Sequence, residues 1–375
     1  MIKIGITGQS GFVGTHLYNT LGLTPEKFER VPFDDGFFSV ESKLNEFVKA
    51  CDVIVHLAAM NRHNDPQVIY DTNLGLVKKL ISALEKTNSK PHLLFSSSSQ
   101  EERDNLYGKS KKEGRELLKN WAKNNDALFT GLIIPNVFGP FGHPYYNSFI
   151  ATFSHQLTHG ETPRVEIDGD VKLIYVEELV EVIIRCIKKG DAIEAYQIPF
   201  TSEKKVTDIL KLLTQYKVDY FEKGILPSLT CKFELNLFNT FRCYINQATF
   251  FPFELKKNED DRGVFVETLK TGIGGQVSFS TTKPGITRGN HYHTRKIERF
   301  AVIQGEASIE LRKIGTKEVI SFKLSGENPS FVDMPIWFTH NITNVGDQEL
   351  VTIFWINEFY DPEDPDTYFE SVRKN

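Results

Sequence analysis

The sequence contains few cysteines, and their spacing is unsuited to metal binding. Its four cysteines, Cys51, Cys186, Cys231 and Cys243, form no CxxC pair. Cysteine zinc sites usually depend on such closely spaced pairs, and disulfide scaffolds need a much higher cysteine content. We therefore expect neither a cysteine zinc site nor a disulfide framework.

Long apolar runs and a strong charge of one sign are also missing. No apolar run approaches the roughly 20 residues of a membrane span. Met1 leads directly into an apolar segment without the features of a signal peptide. The net charge of -5 arises from residues of both signs, which gives no reason to expect a nucleic acid or an anionic membrane as partner. We expect a cytoplasmic protein.

The 375 residues are enough for two domains, and the first two-thirds alternate between two patterns. Short, continuous apolar segments predict buried parallel strands, and amphipathic segments such as 72–86 and 109–124 predict helices between them. This alternation is typical of an α/β fold with a Rossmann-type, doubly wound parallel sheet. The predicted strands are IKIGIT, DVIVHLA, HLLFSS and FTGLII.

The pattern changes after about Phe250, where helical segments stop. Strands broken by Gly, Pro and Asn follow, which predicts an all-β sandwich or barrel. We place the boundary near residue 245, giving domains 1–245 and 246–375, and residues 216–249 fit a helical connector. The predicted strands are VSFSTT, ERFAVIQ, ASIELRKI, KEVISFKL and ELVTIFWIN.

A glycine-rich loop follows the first predicted strand and precedes a helix. Glycines there let the backbone turn tightly and approach a pyrophosphate, which the helix N-terminus can bind. Small residues at the end of a later strand leave room for the same cofactor. The predicted cofactor contacts are Gly8, Gly11, Phe12, Val13 and Gly14 in the loop, and Leu57, Ala58 and Ala59 in the later strand.

A catalytic pair is predicted by Tyr107 and Lys111, which are four residues apart and share one face of a helix. An ammonium group beside a phenol lowers the pKa of the phenol and can hold a ribose hydroxyl. The serine cluster at 96–99 ends a strand nearby and can supply a hydroxyl to the substrate oxygen. Without the glycine loop, an exposed Tyr/Lys pair would be the better interpretation.

A possible metal site is formed by four residues of the C-terminal third. His291 and His293 alternate on a predicted strand and therefore point to the same side. Glu298 opens the next apolar run, and His340 follows much later. Three imidazoles and one carboxylate suit zinc or another first-row divalent ion. The alternative is a pair of ordinary surface histidines on a strand.

Both halves resemble known families. Residues 1–240 resemble the extended short-chain dehydrogenase/reductases that act on nucleotide sugars, which implies the catalytic set Ser98, Tyr107 and Lys111, with Ser97 and Ser99 as alternatives to Ser98. The same resemblance implies cofactor binding by Asn73 and substrate binding by Asn136. The last third resembles the two motifs of the cupin barrel, carried by Gly285, His291, His293, Glu298 and Gly305 and by Pro335, Trp337, His340 and Asn344, with Trp337 where that family usually has glycine.

The whole chain resembles the bifunctional capsular-polysaccharide reductase/epimerases of UDP-N-acetyl-L-fucosamine synthesis, through DDRGVFVE, RGNHYH and DPDTYF. This resemblance implies C3 epimerisation of a UDP-2-acetamido-2,6-dideoxy-4-hexulose in the cupin domain. Reduction at C4 by NADPH then gives UDP-2-acetamido-2,6-dideoxy-L-talose. The local residues Arg30 and Asp34 do not decide between NAD and NADP.

Several features of the C-terminal domain are left open by the sequence. The domain also resembles metal-free epimerases of deoxysugar synthesis, in which the histidine matching His291 is the base. If His291 binds a metal instead, the candidate bases are Asp261, Tyr292 and His340, and Arg262 is expected to contact the substrate diphosphate. A homodimer is expected, because cupins commonly pair their sheet edges. The alternative function is a monofunctional NADPH-dependent reductase whose cupin is a structural, metal-binding dimerisation module.

Overall fold

The computed structural model describes residues 1–146, 148–255, 257–260, 263–266, 268, 274–358 and 361–374, with only the backbone described for 257–260 and 263–266. By compactness the chain divides into two units. The first comprises Met1–Thr152 and Arg164–Ile209, and the second Phe153–Pro163 and Leu210–Asn375. The helical stretch after residue 210 thus lies in the second unit, and the domain boundary at residue 245 stays a prediction.

The first unit is an α/β structure. Its strands are β1 (Ile2–Thr7), β2 (Phe28–Val31), β3 (Val53–His56), β4 (His92–Ser98), β5 (Phe129–Ile134), β6 (Asn136–Phe138), β7 (Asp170–Tyr175), β8 (Ile193–Gln197) and β9 (Ser202–Lys205). Its helices are α1 (Phe12–Leu21), α2 (Glu41–Ala50), α3 (Pro66–Thr87), α4 (Leu106–Asn124), α5 (Phe149–Thr158), α6 (Val176–Lys189) and α7 (Val206–Tyr216), and the chain passes between the units within α5 and α7.

The main sheet is parallel, in the order β2-β1-β3-β4-β5-β8. Alternate residues of β3 enter different hydrophobic clusters, since Val53 and Val55 belong to one cluster and Ile54 to the other. The sheet is therefore covered on both faces, which explains why its strands read as continuous apolar runs. The predicted Rossmann-type, doubly wound sheet is confirmed.

The strand order reverses between β1 and β3. In a doubly wound sheet the carboxyl ends of strands at such a switch point form a crevice in which ligands bind. Gly8 follows β1 and Leu57 follows β3, so both predicted cofactor segments lie at this crevice. A smaller sheet of order β6-β7-β9 completes the unit.

The second unit begins with helices and continues as antiparallel sheet. After α7, a π-helix covers Lys217–Phe221, and α8 (Lys232–Arg242) and α9 (Gln247–Phe250) follow. The strands are β10 (Phe253–Glu254), β11 (Lys257–Asp260), β12 (Gly263–Val266), β13 (Gln276–Thr282), β14 (Thr287–Tyr292), β15 (Glu298–Gln304), β16 (Glu306–Lys313), β17 (Ile320–Ser325), β18 (Ser330–Met334), β19 (Phe338–Asn344), β20 (Leu350–Ile356) and β21 (Tyr368–Phe369).

Two five-stranded antiparallel sheets form the body of this unit, in the orders β10-β18-β15-β20-β13 and β17-β16-β19-β14-β21. This β-rich architecture confirms the all-β domain that the strand pattern predicts, and it is consistent with the cupin-like domain that the motif resemblance implies. All five strands predicted by sequence are present, and residues 216–249 are mainly helical, as expected. The strand β15, which begins at Glu298, lies in one sheet, whereas β14 and β19 lie in the other.

Candidate active and metal sites

The glycine loop between β1 and α1 folds tightly and carries no side chain at its glycines, so a phosphate can approach its backbone. Gly8 adopts φ +71, and the N–H of Gly11 donates to the carbonyl of Gly8 at 3.0 Å. A Cβ at Gly14 would lie 2.1 Å from the Gly8 oxygen, so only glycine fits there. Helix α1 begins directly after Gly11, which provides no side-chain cap. The first-turn N–H groups are thus suited to a pyrophosphate.

A cavity of about 1340 Å³ opens beside this loop. Typical pockets for one drug-sized ligand measure about 300–1,000 Å³, so this cavity has room for a dinucleotide together with a second ligand. Most of the predicted cofactor and substrate residues of the first unit line it. They are Gly8, Gly11, Phe12, Val13, Gly14, Leu57, Ala58, Ala59, Ser98, Tyr107, Lys111 and Asn136.

The side chains around Tyr107 distinguish between the three candidate serines. Ser98 is hydrogen-bonded to the Tyr107 phenol, and both line the cavity. Ser97 is buried and donates to Glu101, while Ser99 is exposed. Among 97, 98 and 99, only Ser98 therefore combines a hydrogen bond to Tyr107 with a place in the cavity wall.

Lys111 does not affect Tyr107 in the way that the sequence suggests. Its ammonium nitrogen donates to the Ser96 carbonyl at 2.9 Å and lies 5.9 Å from the centre of the Tyr107 ring. Burial raises the pKa of Tyr107 to about 12, and the hydrogen bond from Ser98 only partly opposes this effect. The expected lowering of the phenol pKa is therefore not seen. Burial also lowers the pKa of Lys111, to about 8.

Asn73 and Asn136 occupy different positions relative to the cavity. The Asn73 amide accepts from the Met60 N–H at 2.7 Å and donates to the Met60 carbonyl and the Ser110 hydroxyl. It thus holds the segment after β3 in place from behind the cavity wall. Asn136 lines the cavity, and its amide donates to the Lys172 carbonyl at 3.2 Å.

Tyr146 is a cavity residue that the sequence patterns did not single out. Its hydroxyl accepts from the Asn61 N–H at 3.1 Å, and its proximity contributes to the raised pKa of Tyr107. It follows the strained residue Tyr145, whose φ is +59. No local periodicity marks such a residue, because a turn of the chain brings it to the site.

The residues expected to decide between NAD and NADP do not lie in the cavity wall. The Arg30 guanidinium packs over the Tyr18 ring at 4.3 Å and donates to the Tyr18 carbonyl. The Asp34 carboxylate accepts from the Gly36 N–H at 2.8 Å and caps a short 3-10 helix. Asp35, in contrast, does line the cavity, and it accepts a hydrogen bond from Ser10 of the glycine loop at 3.2 Å.

The four predicted metal ligands of the second unit come together. One ligand-type atom of each of His291, His293, Glu298 and His340 lies within 4.8 Å of all the others. His291 and His340 are cross-strand partners on β14 and β19, and Glu298 approaches from the other sheet. Glu298 Oε2 lies 3.1 Å from His293 Nε2 and 3.2 Å from His340 Nε2. This clustering excludes the interpretation as ordinary surface histidines.

The environment of the cluster is suited to a cation. Burial, and then the nearby His340 and His293, lower the pKa of His291 to about 4, which leaves its imidazole neutral. Burial opposes ionisation of Glu298, but the hydrogen bond from His293 and the close approach of His340 outweigh this effect and lower the pKa of that carboxyl group. His340 Nε2 is buried and lacks a hydrogen bond of good geometry. Three imidazoles beside one carboxylate are a donor set that suits zinc.

Two further residues support the ligands. The Asp366 carbonyl accepts from His293 Nδ1 at 2.6 Å, which leaves His293 Nε2 to face the cluster. Trp337 takes φ +60, a conformation that favours glycine, and its backbone N–H donates to the His293 carbonyl at 2.8 Å. Its ring stacks on Tyr292 with the centroids 5.5 Å apart. A glycine at position 337 would fit the same backbone conformation but would not make this contact with Tyr292.

Of the candidate bases and substrate contacts in the second unit, Asp261 and Arg262 lie outside the described residues. Tyr292 is buried and packs between Trp337 and Tyr368, each with ring centroids 5.5 Å away. His340 is fully buried within the ligand cluster. Within the described part of the chain, no helix is both long and apolar enough to cross a membrane.

The chain thus combines a crevice that carries a glycine loop and a Ser/Tyr/Lys set with a β-rich unit that carries a His/Glu cluster. Two family models match these two parts of the chain. Residues 4–198 match the NAD dependent epimerase/dehydratase family, and residues 258–368 match the polysaccharide biosynthesis C-terminal domain. Because the first match covers more than half of the chain, the protein belongs to the NAD dependent epimerase/dehydratase family.

Relatives with the same two-part organisation align along the whole chain. The UDP-2-acetamido-2,6-beta-L-arabino-hexul-4-ose reductase of Pseudomonas aeruginosa is 32% identical over 379 residues, 99% of both chains. The crystal structure of the capsular polysaccharide assembling protein CapF from Staphylococcus aureus is 36% identical, with a TM-score of 0.63 over 99% of this chain and 100% of that chain. The predicted kinship with the two-domain capsular-polysaccharide enzymes is thereby confirmed.

The first unit also shares its fold with more distant proteins. The structure of RMD from Pseudomonas aeruginosa complexed with NADPH is 21% identical and covers 58% of this chain and 83% of that chain, with a TM-score of 0.52. This likeness concerns the fold alone.

Proposed function

We propose that the first unit reduces the C4 ketone of a UDP-linked 2-acetamido-2,6-dideoxy hexulose. The observation that carries this proposal is the hydrogen-bonded pair of Ser98 and Tyr107 in the cavity that the glycine loop opens. The name of the full-length relative, a UDP-sugar 4-ulose reductase, supports the substrate class. The cavity volume of about 1340 Å³ is compatible with a dinucleotide and a nucleotide sugar together.

The residues of the cavity divide the reduction between them. A reduced nicotinamide dinucleotide supplies the hydride when bound, and the resemblance implies NADPH. Tyr107 stays protonated because burial raises the pKa of its phenol to about 12, so it can donate a proton to the developing C4 alkoxide. Ser98 holds the same oxygen through its hydroxyl group. Lys111 lies one helical turn away and can hold a ribose hydroxyl of the cofactor.

The second unit is proposed to epimerise C3 before this reduction. A C4 ketone acidifies the C3–H because the resulting carbanion is an enolate, and a nearby cation or hydrogen-bond donor stabilises it. Reduction of the ketone removes this acidity, so epimerisation has to come first. The product of both steps is then UDP-2-acetamido-2,6-dideoxy-L-talose, a precursor of UDP-N-acetyl-L-fucosamine.

The cluster in the second unit is proposed to hold zinc. His291, His293, Glu298 and His340 provide three imidazoles and one carboxylate, and His340 Nε2 is buried without a hydrogen bond, which fits a metal ligand. Bound zinc would supply positive charge for the folded barrel or for an enolate oxygen. With His291 and His340 as ligands, Tyr292 and Asp261 remain the candidate bases. A homodimer remains expected from the cupin resemblance.

The two activities can be separated with one substrate and two variants. Tyr107→Phe removes the proton donor for C4 and leaves the second unit unchanged. We expect it to lose NADPH oxidation by about 10²-fold or more, while C3 still exchanges its proton with deuterated water. Tyr70→Phe is the matched control, since Tyr70 loses a phenolic hydrogen bond to Glu113 outside the large cavity. It should retain both activities.

His293→Ala tests the second unit in the opposite direction. We expect this variant to lose C3 exchange and to reduce the keto sugar slowly, because its proper substrate no longer forms. If a folded, metal-loaded Tyr107→Phe variant loses exchange, the assignment of epimerisation to the second unit is wrong. If His293→Ala exchanges normally, the second unit is structural, and the protein is a monofunctional reductase.

A further inference from the structure

The cavity carries an acidic residue at the end where the adenosine ribose of a dinucleotide is expected. Asp35 follows β2 and lines the cavity beside the glycine loop, where Ser10 donates to its carboxylate at 3.2 Å. In doubly wound folds an acidic residue about 20 positions after the loop bonds the 2′-hydroxyl of NAD. Asp35 follows the loop at about this distance in the sequence and lies against the loop residue Ser10 in the structure.

The described residues that line the cavity provide no compensating cation at this end. Among them, Arg62 and Lys111 are the only arginine and lysine. Lys111 is bonded to the Ser96 carbonyl after β4, and Arg62 donates to the Tyr145 carbonyl at 2.6 Å. Arg30, the basic residue of β2 itself, packs over Tyr18 instead. A 2′-phosphate bound here would therefore face a carboxylate with no arginine or lysine of the described lining beside it.

We infer that Asp35 disfavours the 2′-phosphate and thereby makes this protein accept NADH alongside NADPH. The carboxylate accepts a hydrogen bond from a free 2′-hydroxyl but repels a phosphate at the same carbon. Asp35 therefore reduces the difference in affinity between NADPH and NADH, even where other residues of the cavity favour NADPH. This inference rests on the proposed binding of a nicotinamide dinucleotide in the cavity.

Asp35→Asn and Asp34→Asn form a matched pair for testing this role. Both remove one negative charge from adjacent positions, but Asp34 caps the 3-10 helix and does not line the cavity. Dissociation constants for NADH and NADPH are measured by titration at low and at physiological salt, without any sugar substrate. In Asp35→Asn we expect the affinity for NADPH relative to NADH to rise about fivefold or more. The rise should shrink with added salt.

Each outcome has a distinct meaning. The inference is supported if the affinity for NADPH relative to NADH is higher in Asp35→Asn than in the wild type and is unchanged in Asp34→Asn. Equal NADPH/NADH ratios in all three proteins overturn it, although dinucleotide binding itself stands. If the wild type binds neither NADH nor NADPH, the proposed reductase function fails together with the inference. Turnover with NADH more than about a hundredfold below turnover with NADPH in the wild type would also overturn it.

Discussion

Replacing Asp366 with alanine should destabilise the second unit and weaken its binding of metal. Asp366 is almost fully buried. Its carboxylate accepts from the N–H groups of Thr294, Arg295 and Lys296 at 3.0, 2.9 and 2.9 Å, and from the Thr294 hydroxyl at 2.6 Å. These four hydrogen bonds organise the turn between His293 and Glu298, two of the proposed ligands.

The size of the effect follows from the groups that lose their acceptor. Leaving one buried donor unsatisfied costs about 1–3 kcal/mol, so three backbone N–H groups together should cost about 3–5 kcal/mol after partial relaxation. For a unit of this size each kcal/mol lowers the melting temperature by about 2–4 °C. We therefore expect a decrease of about 6–20 °C. Because loss of the carboxylate also loosens the turn that holds His293 against the Asp366 backbone carbonyl, metal affinity should fall by about 10–100-fold.

The measurements are thermal unfolding followed by circular dichroism and competition for zinc with a chromophoric chelator. Asp364→Ala is the matched control, because Asp364 is an aspartate of the same segment with a 68% exposed side chain in an ion pair with Arg295. Such an exposed pair contributes only about 0–1 kcal/mol. If the two variants unfold within 2 °C of each other, a difference below the ~6 °C expected here, and bind zinc equally well, the supporting role of Asp366 is refuted.

Three further predictions concern the metal, the buried lysine and the coenzyme. The purified wild type should contain about one divalent metal per chain by elemental analysis, and His293→Ala should lose it and melt at a lower temperature; a metal-free wild type would favour His291 as the base. Lys111→Met should raise the free energy of unfolding of the first unit near pH 7 by about 2 kcal/mol or more. The pKa of Lys111 in the folded protein is about 8, below the usual 10.5, so the folded wild type binds this proton less tightly than the unfolded chain and gains stability between pH 8 and 10.5. The stability advantage of the variant, measured by denaturant titration, should therefore shrink as the pH rises through this range. A difference that stays constant with pH would contradict this reasoning. NADPH should give a higher kcat/KM than NADH in the wild type, and a preference for NADH would contradict that expectation.

The fold class could be predicted from the sequence, and most of the candidate site residues could be proposed from it, because their signals are local. Continuous apolar runs predicted the parallel strands, since a sheet covered on both faces needs no alternation. The glycine loop was recognisable because close backbone packing, such as the contact of Gly14 with Gly8, admits no side chain. The candidate metal ligands His291 and His293 were proposed from the two-residue period of a strand.

Other features were decided by the tertiary structure, because they depend on partners far apart in the chain. Ser98 is distinguished from Ser97 only by which side chain each one contacts, Tyr107 or Glu101. The sequence offered Arg30 and Asp34 for the cofactor, whereas packing turns both away and leaves Asp35 in the cavity.

The same limit applies to the second unit. The sequence by itself determined which residues could bind a metal, because strand periodicity and the chemical type of each side chain can be read from a short segment. Only the tertiary structure brought Glu298 from one sheet against the histidines of the other, and placed Asp366, 72 residues after Thr294, beneath the turn between them. Such contacts form when the sheets pack, and no short segment of sequence specifies them.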